Sequence, residues 1–233
     1  HHHLWDLAAC HYPWLMARGV KRFFGDPTPI QRNYLPSDYL AESSRYSPAK
    51  SVHIQVGVAP EDEVAESEWL QAQAPYPTVF VAACDLSAPG AKAAIERHAA
   101  LDRFRGIRQI VGRHQEEDRK HGSDALLENP AFLAGLRALA AQGGSFDLQM
   151  IPPQMPRVVA LLRQVPELPV ALCHAGSPWD QSPEGLASWR EGLQDLAALP
   201  QVYCKVSGLG MFNPGWDAPA LRPIVQSVID VFG

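Results

Sequence analysis

The feature that most constrains the fold is a regular alternation of short apolar segments with longer amphipathic ones. The short segments are rich in β-branched residues, and several are apolar on both faces, which is typical of parallel strands covered by helices. They occupy residues 51–57, 78–85, 104–111, 145–151, 169–174 and 202–208. The alternation predicts a parallel α/β sheet, because a helix usually carries the chain back between successive parallel strands.

The segments between these strands predict helices. Apolar residues recur at three- and four-residue spacing, as at Phe132, Leu136 and Leu139, so each helix has one apolar face. Pro130 stands where the first turn of a helix tolerates proline, and Gly143 supplies a stop. The predicted helices span approximately residues 91–103, 130–142, 156–164, 183–199 and 218–232.

Polar residues gather at the carboxyl ends of the predicted strands, namely Asp85, Arg108, Gln149, His174, Lys205 and Ser207. A (β/α)8 TIM barrel places its active site there. An open doubly wound sheet also binds ligands at strand ends, so the pattern favours the barrel without excluding the open sheet. No GxGxxG or Walker sequence follows any strand, which excludes the commonest nucleotide-binding sites.

The strand count is short of a full barrel. Six strands follow an opening histidine segment that we interpret as the end of a seventh, and no eighth follows Phe232. We therefore expect a single TIM-barrel domain over residues 1–233 that is a fragment of a longer protein, cut at its start and before the final strand.

Composition and charge exclude several classes of function. The net charge of -5 is spread along 233 residues without a basic run, which argues against nucleic-acid binding. No apolar stretch approaches the roughly 20 residues of a membrane helix. The four cysteines lie far apart without a CxxC pair, which predicts buried free thiols in a reducing compartment. We expect a cytoplasmic protein with a small-molecule substrate, and a homo-oligomer is compatible with the sequence.

The chain opens with three consecutive histidines. A remnant of a purification tag is one interpretation, although Leu4, Trp5 and Asp6 follow with no flexible linker. In the functional interpretation, His1 and His3 stand two apart on a strand, so both side chains point to one face and converge on a metal or a substrate. Neutral imidazole is a common zinc ligand, and catalytic zinc usually has three protein ligands and a water.

Other polar residues at the strand ends are candidates for the same site. His174 ends an apolar run and precedes a Gly-Ser-Pro turn, where the backbone can approach a ligand closely. His53 and Gln55 form a second pair on one face, and we interpret them as site contacts because barrel interiors are usually apolar. The charged segment 112–122, which contains Arg113, is either an exposed loop or a substrate lid.

The segments HHHLWD, RGIRQI, SFDLQMIPPQMP, PVALCHAGSP and QVYCKVSGLGMF, in this order, resemble the amidohydrolase-related family of TIM-barrel hydrolases. The most similar branch contains sugar lactonases and dicarboxylate lactonases, and the resemblance runs over nearly the whole chain. Relatives often have a DHxGKP-like sequence around the histidine of the sixth strand, where this chain has Cys173 for the aspartate and Ser177 for the lysine. They also carry an acidic residue before HxH and an aspartate at the end of strand eight, both outside this sequence.

The resemblance implies roles residue by residue. His1 and His3 match the HxH of the first strand, and His174 matches the histidine that closes the sixth. These three are the expected catalytic residues and metal ligands. Members of this branch differ in their need for a metal, so a divalent ion, with zinc expected, and a metal-free site are both open. The expected substrate-binding residues are Arg108, Arg113, His53, Gln55, Gln149, Lys205 and Ser207.

The expected reaction is hydrolysis of a sugar-acid lactone or a carboxylated lactone by water. Arginine suits a bidentate grip on carboxylate. Two alternatives stay open. One is a metal-dependent decarboxylase on the same fold, and the other is a truncated chain that binds a ligand without turnover.

Overall fold

The computed structural model describes residues 1–113 and 124–233. The chain forms two compact units, the first made of His1–Asp85 with Pro89–Arg108 and the second of Leu86–Ala88 with Gln109–Gly233. In both units the paired strands run parallel, and each strand is followed along the chain by a helix. This is the parallel strand–helix alternation that the sequence predicts.

The first unit contains strands β1 (Val52–Ile54), β2 (Val79–Ala83) and β3 (Phe104–Ile110), and the last two residues of β3 are assigned to the second unit. β2 pairs with both β1 and β3. The opening segment runs parallel to β1 through a single bridge between His2 and His53. The strand predicted to end at the opening histidines is therefore present only as this bridge.

Four helices belong to the first unit, namely α1 (Pro13–Met16), α2 (Pro36–Ser43), α3 (Glu63–Ala72) and α4 (Ala91–Ala99). α4 ends four residues before the predicted position. It buries Ala91, Ile95 and His98, which lie on one face at helical spacing. His98 Nδ1 lies 2.9 Å from Ser67 Oγ of α3, so a buried hydrogen bond joins these two helices. Three of these helices, α1, α2 and α3, were not predicted from the sequence.

The second unit contains strands β4 (Ser145–Gln149), β5 (Val170–Leu172) and β6 (Val202–Cys204). Its helices are α5 (Asp124–Glu128), α6 (Pro130–Ala141), α7 (Met155–Leu162), α8 (Pro183–Ala197) and α9 (Ala218–Phe232). α6 begins at the predicted proline, where the Asn129 side chain accepts a hydrogen bond from the Ala131 amide at 2.9 Å. The chain leaves α6 at Gly143, whose φ of +70° favours glycine. The predicted stop is confirmed.

The strands are shorter than predicted, and this changes where the polar residues lie. The segments predicted at 51–57, 169–174 and 202–208 leave strand geometry after Ile54, Leu172 and Cys204. His174 therefore does not end a strand. It lies in the turn that follows one, because the backbone changes to a left-handed conformation at this residue.

All four cysteines have free thiols, as predicted, and three of them are buried whereas Cys204 is half-buried. The reducing compartment remains a prediction. None of the helices in residues 1–113 and 124–233 combines the length and apolar character needed to cross a membrane.

Gly135 gives a direct test of the packing of α6. A Cβ at this position would lie 2.1 Å from the carbonyl oxygen of Leu86, and a backbone atom cannot rotate away. Gly135→Ala should therefore lower the free energy of unfolding by about 1–3 kcal/mol, although alanine favours helix. In Gly215→Ala the nearest atom would be 3.7 Å away, so this control should change stability by less than about 0.5 kcal/mol. Urea unfolding measures both, and equal stabilities would contradict the packing.

Candidate active site

The first unit brings His1 and His3 together, as predicted. Their ring centroids are 5.6 Å apart and the rings are nearly perpendicular. His2, between them in sequence, stacks on Tyr39 with the ring centroids 4.0 Å apart. Burial lowers the pKa of His2 to about 4. The alternating environments of the three histidines are those of an extended segment, in which residues two apart share a face.

The tautomer of His3 follows from its contact with β1. Its Nδ1 lies 2.8 Å from the carbonyl oxygen of Ile54. A carbonyl oxygen can only accept, so Nδ1 carries the proton and the lone pair of the neutral ring is on Nε2. Metal-binding histidines commonly donate the second ring N–H to a carbonyl group in this way.

His53, a predicted substrate contact, is fully buried in the structure. Its Nδ1 accepts a hydrogen bond from the Leu4 amide at 3.0 Å, and in the strand register it stands beside Phe80. Burial lowers its pKa well below the usual value. The ring is therefore neutral and connects the opening segment to β1. Contact with a substrate remains a prediction for this residue.

Gln55 and Arg108 are held by each other's backbone. The Arg108 guanidinium donates through Nη2 to the carbonyl oxygen of Gln55, and Gln55 Nε2 donates to the carbonyl oxygen of Arg108 at 3.2 Å. The Gln55 side-chain oxygen accepts from the Gly57 amide. Gln55 lies just beyond β1 and Arg108 lies within β3, so the two predicted site residues link the end of β1 to β3.

Glu66, which was not predicted from the sequence, is a fully buried carboxyl group on α3. Burial raises its pKa to about 7, against the opposing effects of the Tyr12 hydroxyl, the positive charge of Arg108 and the Val56 amide. Glu66 shares the buried face of α3 with Leu70, four residues later. An acidic residue on the apolar face of a helix was therefore the signal available in the sequence.

In the second unit, Lys205, directly after β6, forms an ion pair with Asp147 in the middle of β4. The Lys205 Nζ lies 2.5 Å from Asp147 Oδ2, and the aspartate side chain is only 5% exposed. The Cys173 Sγ lies 3.9 Å from the same oxygen. Asp147 belongs to the SFDLQMIPPQMP segment that resembles the hydrolase family. Its carboxylate compensates the charge of Lys205, a predicted substrate-binding residue.

His174 lies in a turn with an unusual backbone. Four consecutive residues, His174 to Ser177, have φ values of +56°, +54°, +68° and +58°. A left-handed conformation costs roughly 1–2 kcal/mol for each residue other than glycine. The turn is fixed by the Ala175 amide, which donates to the Lys205 carbonyl at 2.9 Å, and by Trp189 Nε1, which donates to the Ala175 carbonyl at 2.7 Å. Such strain is typical of positions that a functional site requires.

Two glutamines of the SFDLQMIPPQMP segment lie next to the turn after β3. The Gln149 carbonyl accepts the amides of Val111 and Gly112 at 2.8 and 3.1 Å. Gln154 Nε2 donates to the Val111 carbonyl at 3.3 Å, and a Cβ on Gly112 would lie 2.3 Å from Gln154 Oε1. These contacts give Gln154 a structural role, whereas substrate contact by the buried Gln149 side chain remains a prediction.

Arg113, half-buried, is the last residue described before the gap. The predicted lid over 112–122 falls mostly on residues 114–123, which lie outside the described part of the chain. Within residues 1–113 and 124–233, no three His, Cys, Asp or Glu side chains form a group that could hold a metal ion. The donor chemistry of His3 fits a metal ligand, and metal binding remains a prediction.

The model of the amidohydrolase family matches residues 1–233. The uncharacterized protein y4mH of Sinorhizobium fredii is 36% identical over the whole chain, which covers 80% of that protein. An L-fucono-1,5-lactonase of Burkholderia multivorans is 31% identical, again over the whole chain, which covers 77% of that enzyme.

A solved amidohydrolase from Burkholderia multivorans with bound zinc has a TM-score of 0.78 and 28% identity, with 99% of this chain and 78% of that one covered. A probable 2-pyrone-4,6-dicarboxylic acid hydrolase from Acinetobacter baumannii, with citric acid bound, has a TM-score of 0.68 at 17% identity and shares the fold. That match covers 100% of this chain and 76% of the other. The predicted (β/α)8-barrel class is confirmed.

The buried Glu66 predicts a pH-dependent stability. Its pKa is about 7 in the folded protein and 4.5 ordinarily, so the folded state binds the proton more tightly. The resulting stability is fully present below pH 4.5 and is lost as the pH rises through 7. Glu66→Gln keeps a neutral side chain at every pH. Its stability relative to wild type should therefore rise by about 3 kcal/mol between pH 4.5 and pH 8.

Urea unfolding at the two pH values measures this difference. Glu63 also has a pKa raised to about 7 by burial. It is present in both proteins, so only its electrostatic coupling to Glu66, the smallest contribution to the Glu66 pKa, differs between them. The control is Glu68→Gln on the same helix, where the side chain is exposed and lies 3.6 Å from Arg97. A difference between Glu66→Gln and wild type that does not vary with pH would contradict the assignment.

Proposed function

The chain belongs to the amidohydrolase family and is a hydrolase, and we propose that its substrate is an uncharged lactone of a sugar acid. The observation that carries the proposal is the paired imidazoles of His1 and His3, 5.6 Å apart, with His3 Nδ1 on a carbonyl oxygen. Lactone hydrolysis needs a nucleophilic water, a polarised carbonyl and a proton for the leaving oxygen. The relative named L-fucono-1,5-lactonase, 31% identical over the whole chain, supports this reaction.

Charge compensation supports an uncharged substrate. Lys205 is paired with the buried Asp147. The guanidinium of Arg108, which is 8% exposed, donates to the backbone carbonyl oxygen of Gln55. A substrate carboxylate at Lys205 would have to share the ammonium group with Asp147 and lose its own hydration. Sugar hydroxyls can accept hydrogen bonds from Lys205 without that cost.

The proposed catalytic residues are His1, His3 and His174. His1 and His3 would hold a divalent cation, and the sequence predicts His174 as its third ligand. When bound, such an ion lowers the pKa of a coordinated water towards about 7. The zinc-bound relative, 28% identical, supports zinc as the ion. Substrate contacts by Arg113, His53, Gln55 and Gln149 are part of the proposal.

A substrate panel tests the proposal. The purified protein is offered neutral sugar-acid lactones, a pyrone dicarboxylate and an aromatic carboxylic acid, and acid release or loss of carbon dioxide is followed. We expect a kcat/KM for the best neutral lactone at least 100-fold above that for the dicarboxylate. Turnover of the aromatic acid would indicate the decarboxylase instead, and preference for the dicarboxylate would contradict the charge argument. Binding without turnover of any compound would indicate the silent binding protein.

Histidine variants supply the control for this panel. Alanine at position 1, 3 or 174 should each lower kcat/KM by about 10²–10⁴-fold, the usual loss when a proton-transfer group is removed. The matched control is His11→Ala, because His11 is exposed, and its kcat/KM should stay within twofold of wild type.

A further inference from the structure

The imidazole of His174 occupies space that only a glycine at position 208 leaves open. A Cβ on Gly208 would lie 2.5 Å from His174 Nδ1 and 3.0 Å from Cε1. Unbonded atoms do not approach so closely. The preceding residue, Ser207, places its Oγ 3.1 Å from the same Nδ1. The ring is therefore both hydrogen-bonded and sterically fitted by two consecutive residues.

Gly208 also has a backbone that favours glycine, with a φ of +63°. Gly143 has nearly the same conformation, with a φ of +70°, but a Cβ there would meet no atom within 4 Å. Both glycines thus have a backbone conformation that an alanine would strain, but only at Gly208 would the added Cβ also collide with a ring. Comparing Gly208→Ala with Gly143→Ala therefore distinguishes the effect of displacing His174 from the effect of backbone strain.

The backbone of the turn that carries His174 has little conformational freedom. His174, Ala175 and Ser177 all have positive φ values, and residues in such conformations persist only where the surrounding structure fixes them. The strained turn sets the position of the His174 ring, and Ser207 and Gly208 line the space that the ring occupies. An orientation determined from both sides is expected of a group that must meet a reacting atom within a few tenths of an ångström.

Ser207 differs from its neighbour Lys205 in what it contacts. Lys205 binds the carboxylate of Asp147, whereas the Ser207 hydroxyl binds the ring of His174. A side chain that contacts a catalytic histidine at its Nδ1 orients the ring and directs Nε2 away from itself.

We infer that Ser207 and Gly208 are positioning residues that fix the His174 imidazole for lactone hydrolysis, and that Ser207 is not a substrate-binding residue. The inference rests on the proposed function for the reaction. The fixed orientation of the ring, however, is a property of the protein that can be measured without any substrate.

Kinetics with a neutral lactone form the first arm of the test. Ser207→Ala and Gly208→Ala should each lower kcat by about 10–100-fold, as expected for residues that orient a ligand or catalytic group, with KM within twofold of wild type. Ser207→Thr retains the hydroxyl and should restore kcat to within threefold. The control Gly143→Ala should also stay within threefold. A rise in KM with unchanged kcat in Ser207→Ala would instead make Ser207 a substrate contact and overturn the inference.

Nuclear magnetic resonance of the His174 ring forms the second arm. Long-range ¹H–¹⁵N correlations report the state of both ring nitrogens in the purified protein without substrate. The His174 signals should move in Ser207→Ala and Gly208→Ala and stay in place in Gly143→Ala. Unmoved signals in Ser207→Ala would overturn the inference. If the wild-type protein hydrolyses no lactone, the proposed function fails, and this arm still decides whether the two residues position the ring.

Discussion

In each unit a candidate catalytic histidine has its Nδ1 bound to an oxygen from the neighbouring strand or the turn after it. His3 Nδ1 contacts the Ile54 carbonyl at 2.8 Å, and His174 Nδ1 contacts Ser207 Oγ at 3.1 Å. Because one ring nitrogen is held by the scaffold, the direction of the other is set by the fold. The catalytic proposal depends on this constraint, since imidazoles that rotated freely would lose most of their effect on a reacting carbonyl.

Holding these groups in place has an energetic cost that other parts of the fold offset. Three residues other than glycine adopt left-handed conformations between His174 and Ser177. That turn is stabilised by two hydrogen bonds, one from the Trp189 indole to the Ala175 carbonyl and one from the Ala175 amide to the Lys205 carbonyl. Backbone conformations that the local sequence disfavours are expected mainly beside functional groups, where a fold accepts strain in return for function.

The sequence predicted those features that depend on short-range pattern. The alternation of apolar and amphipathic segments predicted the parallel strands and five of the helices, and spacing of two predicted that His1 and His3 share an environment. It could not predict the turn at His174, because Gly176 is the only residue there with a known preference for positive φ. The Ser207 contact depends on register between segments more than thirty residues apart. Glu66 was missed because α3 was not predicted, and the burial of its carboxyl group follows only once the helix places it on the same face as Leu70.

The central claim is that the neighbouring imidazoles of His1 and His3 act together in one reaction. A double-mutant cycle on kcat/KM tests it most directly, with wild type, His1→Ala, His3→Ala and the double variant compared on the best lactone. Groups that act as a unit lose little more together than singly. The account predicts a double variant within about tenfold of the weaker single variant, whereas losses that multiply in full would contradict it.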